Sequence, residues 1–152
     1  MVKTIIFSIN VFLVALVVGS MFAVWYGFNP NKLSYNDYVV HQQQLINQLN
    51  VKLPVLALIA ILLTIISAIL ARGDKKLMVL LIATAIFLII SGIVTRFLNQ
   101  PINAKVMTWV ADKPPSNWME LRADWWKWHI VRLISGIISF GCLIIGFLNR
   151  SG

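Results

Sequence analysis

Four stretches of the chain, residues 5–28, 55–71, 77–95 and 130–148, are almost wholly apolar. The first three hold no charged side chain, and the fourth holds one, Arg132, in its first turn. A helix crossing a hydrocarbon core about 30 Å thick needs about 17–25 apolar residues, and all four stretches fall in that range. Lipid does not solvate backbone N–H and C=O groups, so only helices or closed barrels can span it. The runs show no period-two alternation, which excludes a barrel. The pattern predicts an all-α integral membrane four-helix bundle, a single domain over residues 1–152, with caps at 29–54 and 96–129. The first run exceeds the roughly 7–15 apolar residues of a secretory signal, so it is read as a span.

The connections carry helix punctuation of their own. Ser34 with Asp37 three residues on is an N-cap followed by a favourable first-turn acid. It predicts a helix over 35–50 in which Asp37, His41, Gln44 and Gln48 share one face. Pro54 then falls where a first turn tolerates proline. In the second connection, Asn117 and Glu120 have capping-box spacing behind the stiff pair Pro114 and Pro115. From Trp118 a helix can run uninterrupted into the fourth span. On it Trp118, Arg122, Trp125, His129, Arg132 and Gly136 form one stripe at 100° per residue. The third span continues past Thr95 through Arg96, Asn99 and Asn103. Pro101 there releases the carbonyl four residues earlier.

Composition agrees with the pattern. Hydrophobic residues make up 59% and charged ones 12% of the 152 residues, with a mean hydropathy of +0.83. Soluble domains carry about 25% charged residues. The net charge of +8 punctuates apolar runs, so it fits anionic lipid head groups and not nucleic acid. The single cysteine, Cys142, permits no intrachain disulfide. An even number of spans puts both termini on one side with the short turn 72–76. Lys3, Arg72, Lys75, Lys76 and Arg150 gather there against Asp74. The density of positive charge in that turn favours a cytoplasmic side for it and an extracytoplasmic cap. All six tryptophans and both histidines fall at the cap end, more than an interfacial belt needs.

An imidazole and two guanidiniums on one helix entering lipid need partners or water. Asn99 and Asn103, with carbonyls freed by Pro101, are the expected partners of Arg132 and His129. Such a network can equally be a structural tie between the third and fourth spans. No closed metal-ligand set is present. Haem or copper held by His41 and His129 stays open as an alternative to a cofactor-free site. Phosphate loops and Gly-x-Ser-x-Gly elbows are absent.

Asn99-x-Pro101-Ile102-Asn103, followed by Trp109, Pro114-Pro115, Trp118, Arg122, Trp125, His129 and Arg132, resembles the signature of the anthrone-oxygenase-like family of small four-span membrane proteins. The glutamine-rich His41 segment before Pro54 and the short basic turn extend the likeness along the chain. Fungal members oxidise anthrones to anthraquinones, so the resemblance implies oxygenase-type chemistry on a hydrophobic phenol, anthrone or quinone. In that reading His129 is the base, and Arg122 and Arg132 stabilise a phenolate or enolate. Asn99 and Asn103 orient carbonyl oxygens, and Trp118 and Trp125 stack on a planar ring. The expected pocket lies between the third and fourth spans at the cap end. Trp109, Trp118 and Trp125 roof it, and His41 approaches from the first connection. The second class of function is non-enzymatic: a lipid- or quinone-binding module, or a subunit docking a partner through its tryptophans. A homo-oligomer is compatible with either.

Overall fold

The structure is a computed structural model that describes residues 2–149; Arg150, grouped above with the basic turn, lies outside them. Among the described residues there are helices and loops and no strand. The helices are α1 (Val2–Gly27), α2 (Tyr35–Leu49), α3 (Lys52–Leu70), α4 (Lys75–Val94), α5 (Gln100–Val106) and α6 (Trp118–Leu148). Four helical stretches, Val2–Lys32, Lys52–Leu70, Lys75–Val106 and Trp118–Leu148, are long and apolar enough to cross a membrane. The architecture is an all-α four-helix bundle that fits a multi-pass membrane protein.

The bundle closes as a ring in which α1 packs on α3 and α6, and α4 packs on α3 and α6. Neighbours around the ring are antiparallel, because each link reverses the chain. Both long connections therefore lie at one end, where α2 and α5 form the cap. Val14, Val17, Ala60, Leu81, Leu88 and Leu143 fill the centre of the bundle. Outward-facing Ile, Leu and Val side chains on every span remain exposed, as a lipid-facing surface requires. Gly136 brings α6 close to α1, since a Cβ there would stand 2.7 Å from Met21 Cε and 3.3 Å from Val18 Cγ2.

Local chemistry explains where the elements start and bend. Ser34 caps α2 as expected: its Oγ accepts from the Asp37 N–H at 3.3 Å and donates to Asp37 Oδ2 at 2.6 Å. Asp74 caps α4 by accepting from the Leu77 N–H. The expected capping box at Asn117 does not form; that residue makes no side-chain cap bond. Its place is taken by a backbone turn, in which the Trp118 N–H donates to the Pro115 carbonyl. The junction of α4 and α5 is a π turn over Thr95–Asn99, where the Gln100 N–H reaches back to the Thr95 carbonyl. Pro101 has no N–H to give the Phe97 carbonyl, and the wider turn absorbs that loss without ending the helix.

Within the cap, α2 is tied to the second long connection. Tyr35 Oη donates to the carbonyls of Val110 and Lys113, and Gln43 Nε2 donates to those of Val106 and Trp109. Asn36 and Asp112 exchange two hydrogen bonds, of 2.7 and 2.9 Å. Asp112 has φ of 63°, a left-handed conformation that Asp tolerates better than most residues.

Candidate functional site

The inward stripe of α6 is the centre of the site. Its most buried member, His129, is 0% exposed and stacks on Trp125 at 5.3 Å and on Trp126 at 5.5 Å. The guanidinium of Arg132 reaches His129 Nδ1 with both Nε (3.1 Å) and Nη2 (2.8 Å). A guanidinium only donates, so Nδ1 is the bare nitrogen and Nε2 carries the proton. That proton is directed at the Met21 carbonyl of α1, 3.1 Å away. Both nitrogens of the ring are thereby engaged.

This pairing corrects the expected contact between Arg132 and Asn99 or Asn103. Side chains on a helix lean towards its N-terminus, so Arg132 climbs its own helix onto the residue three positions earlier. The two asparagines serve Trp125 instead. Asn99 Nδ2 donates to the Trp125 carbonyl at 3.0 Å, and Trp125 Nε1 donates to Asn103 Oδ1 at 2.8 Å. Asn103 also receives a long bond from Gln42 Nε2 (3.4 Å) and donates to Asn50 Oδ1 (2.9 Å). The result is an amide cluster joining α2, α5 and α6 around one tryptophan.

Below this cluster is a cavity of about 240 Å³. Its walls come from all four spans and α2, among them Met21, Ile46, Ala57, Thr95, Trp125 and Arg132. It is thus more central than a pocket between the third and fourth spans alone. Gln42, Asn50, Gln100 and Asn103 supply amides to its lining, Arg96 and Arg132 supply cations, and no Asp or Glu takes part. Leu58, 56% exposed, and the exposed Arg96 also belong to the lining. The cavity therefore opens on the outer face of the bundle between α3 and α4. Among the described residues, Nη1 of Arg132 has no hydrogen-bond partner and is not sealed from the space around it.

The other residues singled out from the sequence stand elsewhere. Arg122 donates to the Leu33 carbonyl at 2.8 Å and lies over the Trp118 ring at 4.6 Å. Trp118 and Trp109 pack on Tyr35 and Tyr38. These groups build the cap and do not line the cavity. Tyr38 is fully buried there; burial holds its phenol well above the ordinary tyrosine value, against a smaller opposing effect of Arg122. His41 lies on the exposed face of α2 with Asp37, Gln44 and Gln48. Its ring meets Phe28 at 6.3 Å, and Phe28 in turn meets Trp125. The two imidazoles are not brought together, because the wholly polar face of α2 turns to solvent and its mixed face packs inward. Among the described residues no three of His, Cys, Asp and Glu gather as metal ligands would.

Gln42 is the residue that sequence reasoning missed. It is 0% exposed and lines the cavity. The available signal was a single amide among Tyr38, Val39 and Ile46 on the apolar side of α2, where a polar side chain needs a reason to be buried.

No curated protein and no solved structure matches the chain. The family model described as Anthrone oxygenase does match, over residues 43–142. That stretch runs from Gln43 in the cap through α3 to α5 and most of α6, and includes Asn50, Asn99 and Asn103 of the amide cluster, with His129 and Arg132; Gln42 falls one residue before it. The chain belongs to the anthrone oxygenase family.

Proposed function

We propose that the protein is an oxygenase-type enzyme acting on a compact hydrophobic phenol, anthrone or quinone-like molecule taken from the bilayer. One observation carries this reading: Arg132 presents an unpartnered guanidinium edge to a largely apolar cavity whose lining holds amides and no acid. A partly buried cation without a carboxylate suits an acceptor oxygen or an oxyanion. The cavity is smaller than the roughly 300–1,000 Å³ of drug-sized sites, so the ligand is a few fused rings. Its oxygen faces Arg132 and the Gln42–Asn103 amides, and its apolar body extends towards the opening between α3 and α4.

Family membership supports the reaction class. In an anthrone-type oxidation a ring CH2 and dioxygen become C=O and water, with no further reductant required. Arg132 stabilises the electron-rich anion that reacts with oxygen, and the amides fix the ring. The test is oxygen uptake by the purified protein with anthrone. Replacing Arg132 with Met should lower kcat/KM roughly 100-fold or more, the usual scale for losing an oxyanion donor. The covered lone pair of His129 favours a second reading, a non-enzymatic quinone-binding module. Saturable anthraquinone binding without any oxygen uptake from anthrone decides for that one.

A further inference from the structure

The site contains one strong neutral proton acceptor, and it is covered. His129 has no exposure and does not line the cavity, whereas Arg132 does. The guanidinium therefore stands between Nδ1 and the space a ligand occupies. Its hold on Nδ1 is through two donors, Nε and Nη2, while Nη1 already has no protein partner among the described residues. The ring itself is fixed independently of Arg132, by the Met21 carbonyl and the stacked Trp125 and Trp126.

We propose that Arg132 is a ligand-released latch: a carbonyl or anionic oxygen in the cavity draws the guanidinium off His129, which uncovers Nδ1 as the proton acceptor only while ligand is bound. This rests on the functional reading above and adds the order of events. Two physical facts favour the exchange. A guanidinium bonds a phenolate or other ionised oxygen more strongly than a neutral nitrogen, and a neutral carbonyl oxygen is met first by the unpartnered Nη1. No carboxylate in the lining competes for the guanidinium. The move needs only side-chain rotation at Arg132, because the imidazole stays where α1 holds it.

The proton and electron accounts close. A C–H bond conjugated with the ligand's carbonyl breaks; its proton passes to Nδ1 and its electron pair to the oxygen now held by Arg132. Dioxygen forms a bond to that carbon, and the resulting peroxide anion recovers the proton from Nδ1. Loss of water from the hydroperoxide leaves the new C=O, and Arg132 returns to Nδ1. Net charge around the two side chains is the same before and after proton abstraction, since the imidazolium is balanced by the enolate on Arg132. The latch confines carbanion formation to a ligand whose oxygen is already anchored.

The experiment is nitrogen-15 NMR of imidazole-labelled protein in lipid nanodiscs. A His41→Gln background leaves one imidazole, and 9,10-anthraquinone, which has acceptor oxygens and no donor, is the probe. Tryptophan quenching in the same samples reports occupancy, because Trp125 lines the cavity. In the free protein Nε2 should be protonated and Nδ1 should carry the shift of a hydrogen-bonded bare nitrogen. At saturation Nδ1 should move to an unbonded value, the one Arg132→Met shows without ligand. Quenching that saturates while Nδ1 stays still overturns the latch and leaves the cavity reading intact. No quenching at all overturns the cavity reading and the latch with it. A proton on Nδ1 in the free protein overturns the latch at once, and these overturning results are read without Arg132→Met, so none of them depends on that variant folding.

Discussion

Individual side chains in the cap are not all optimised for stability. Tyr38 is fully buried and its hydroxyl has no partner among the described residues. An unpaired buried polar group costs about 1–3 kcal/mol. Tyr38→Phe should therefore raise stability by about 1 kcal/mol, read as a higher unfolding midpoint in detergent. The same substitution has a signature in pH. Burial raises the phenol's pKa in the folded state. Above the ordinary value of about 10, the unfolded chain releases the Tyr38 proton and the folded protein keeps it. Stability then falls as pH climbs beyond about 10, and Tyr38→Phe should flatten that alkaline decline. A decline of unchanged slope would assign the pH dependence to other groups. Gln43 shows the opposite economy, since its one amide nitrogen satisfies two carbonyls at the end of α5.

At the level of elements, the contact of α1 with α6 at Gly136 links packing to the site. A methyl there would push on Met21, which lines the cavity and whose carbonyl holds His129. The Met21 thioether is the part that can yield, and the open space beside it is the cavity. Gly136→Ala should weaken anthraquinone binding roughly tenfold, the scale of one methylene in a fitted pocket, as measured by tryptophan quenching. How far the elements were legible beforehand depended on periodicity. The stripe of α6 could be read because no breaker interrupts it from Trp118 onward, and all its members turn inward. The inward face of α2 could not, because its most polar face drew attention to His41 while the one buried amide, Gln42, sat among apolar neighbours. The partner of Arg132 was also hidden, since spacing matched it to the third span while side-chain lean sent it back along its own helix. The π turn gave no sequence sign beyond Pro101.

For the whole molecule, hydropathy sufficed to find four spans, but nothing in it specified the ring order that leaves a space in the middle. The antiparallel topology makes a direct prediction about sidedness. Reporters fused at Gly73 and at Pro114 should read opposite faces of the membrane, with the basic turn cytoplasmic by its lysine and arginine density. The same face for both would overturn the four-span reading. On the oxygenase reading proposed above, the position of the cavity mouth, on the flank of the bundle between α3 and α4, bears on how activity must be measured. A substrate that arrives sideways is counted in molecules per lipid, not in moles per litre of buffer. At fixed total substrate, added empty vesicles should slow turnover in proportion as they draw substrate away, and the apparent KM should scale with lipid content. An unchanged rate across such a dilution series would point instead to delivery from the aqueous side, over the rim of the cap.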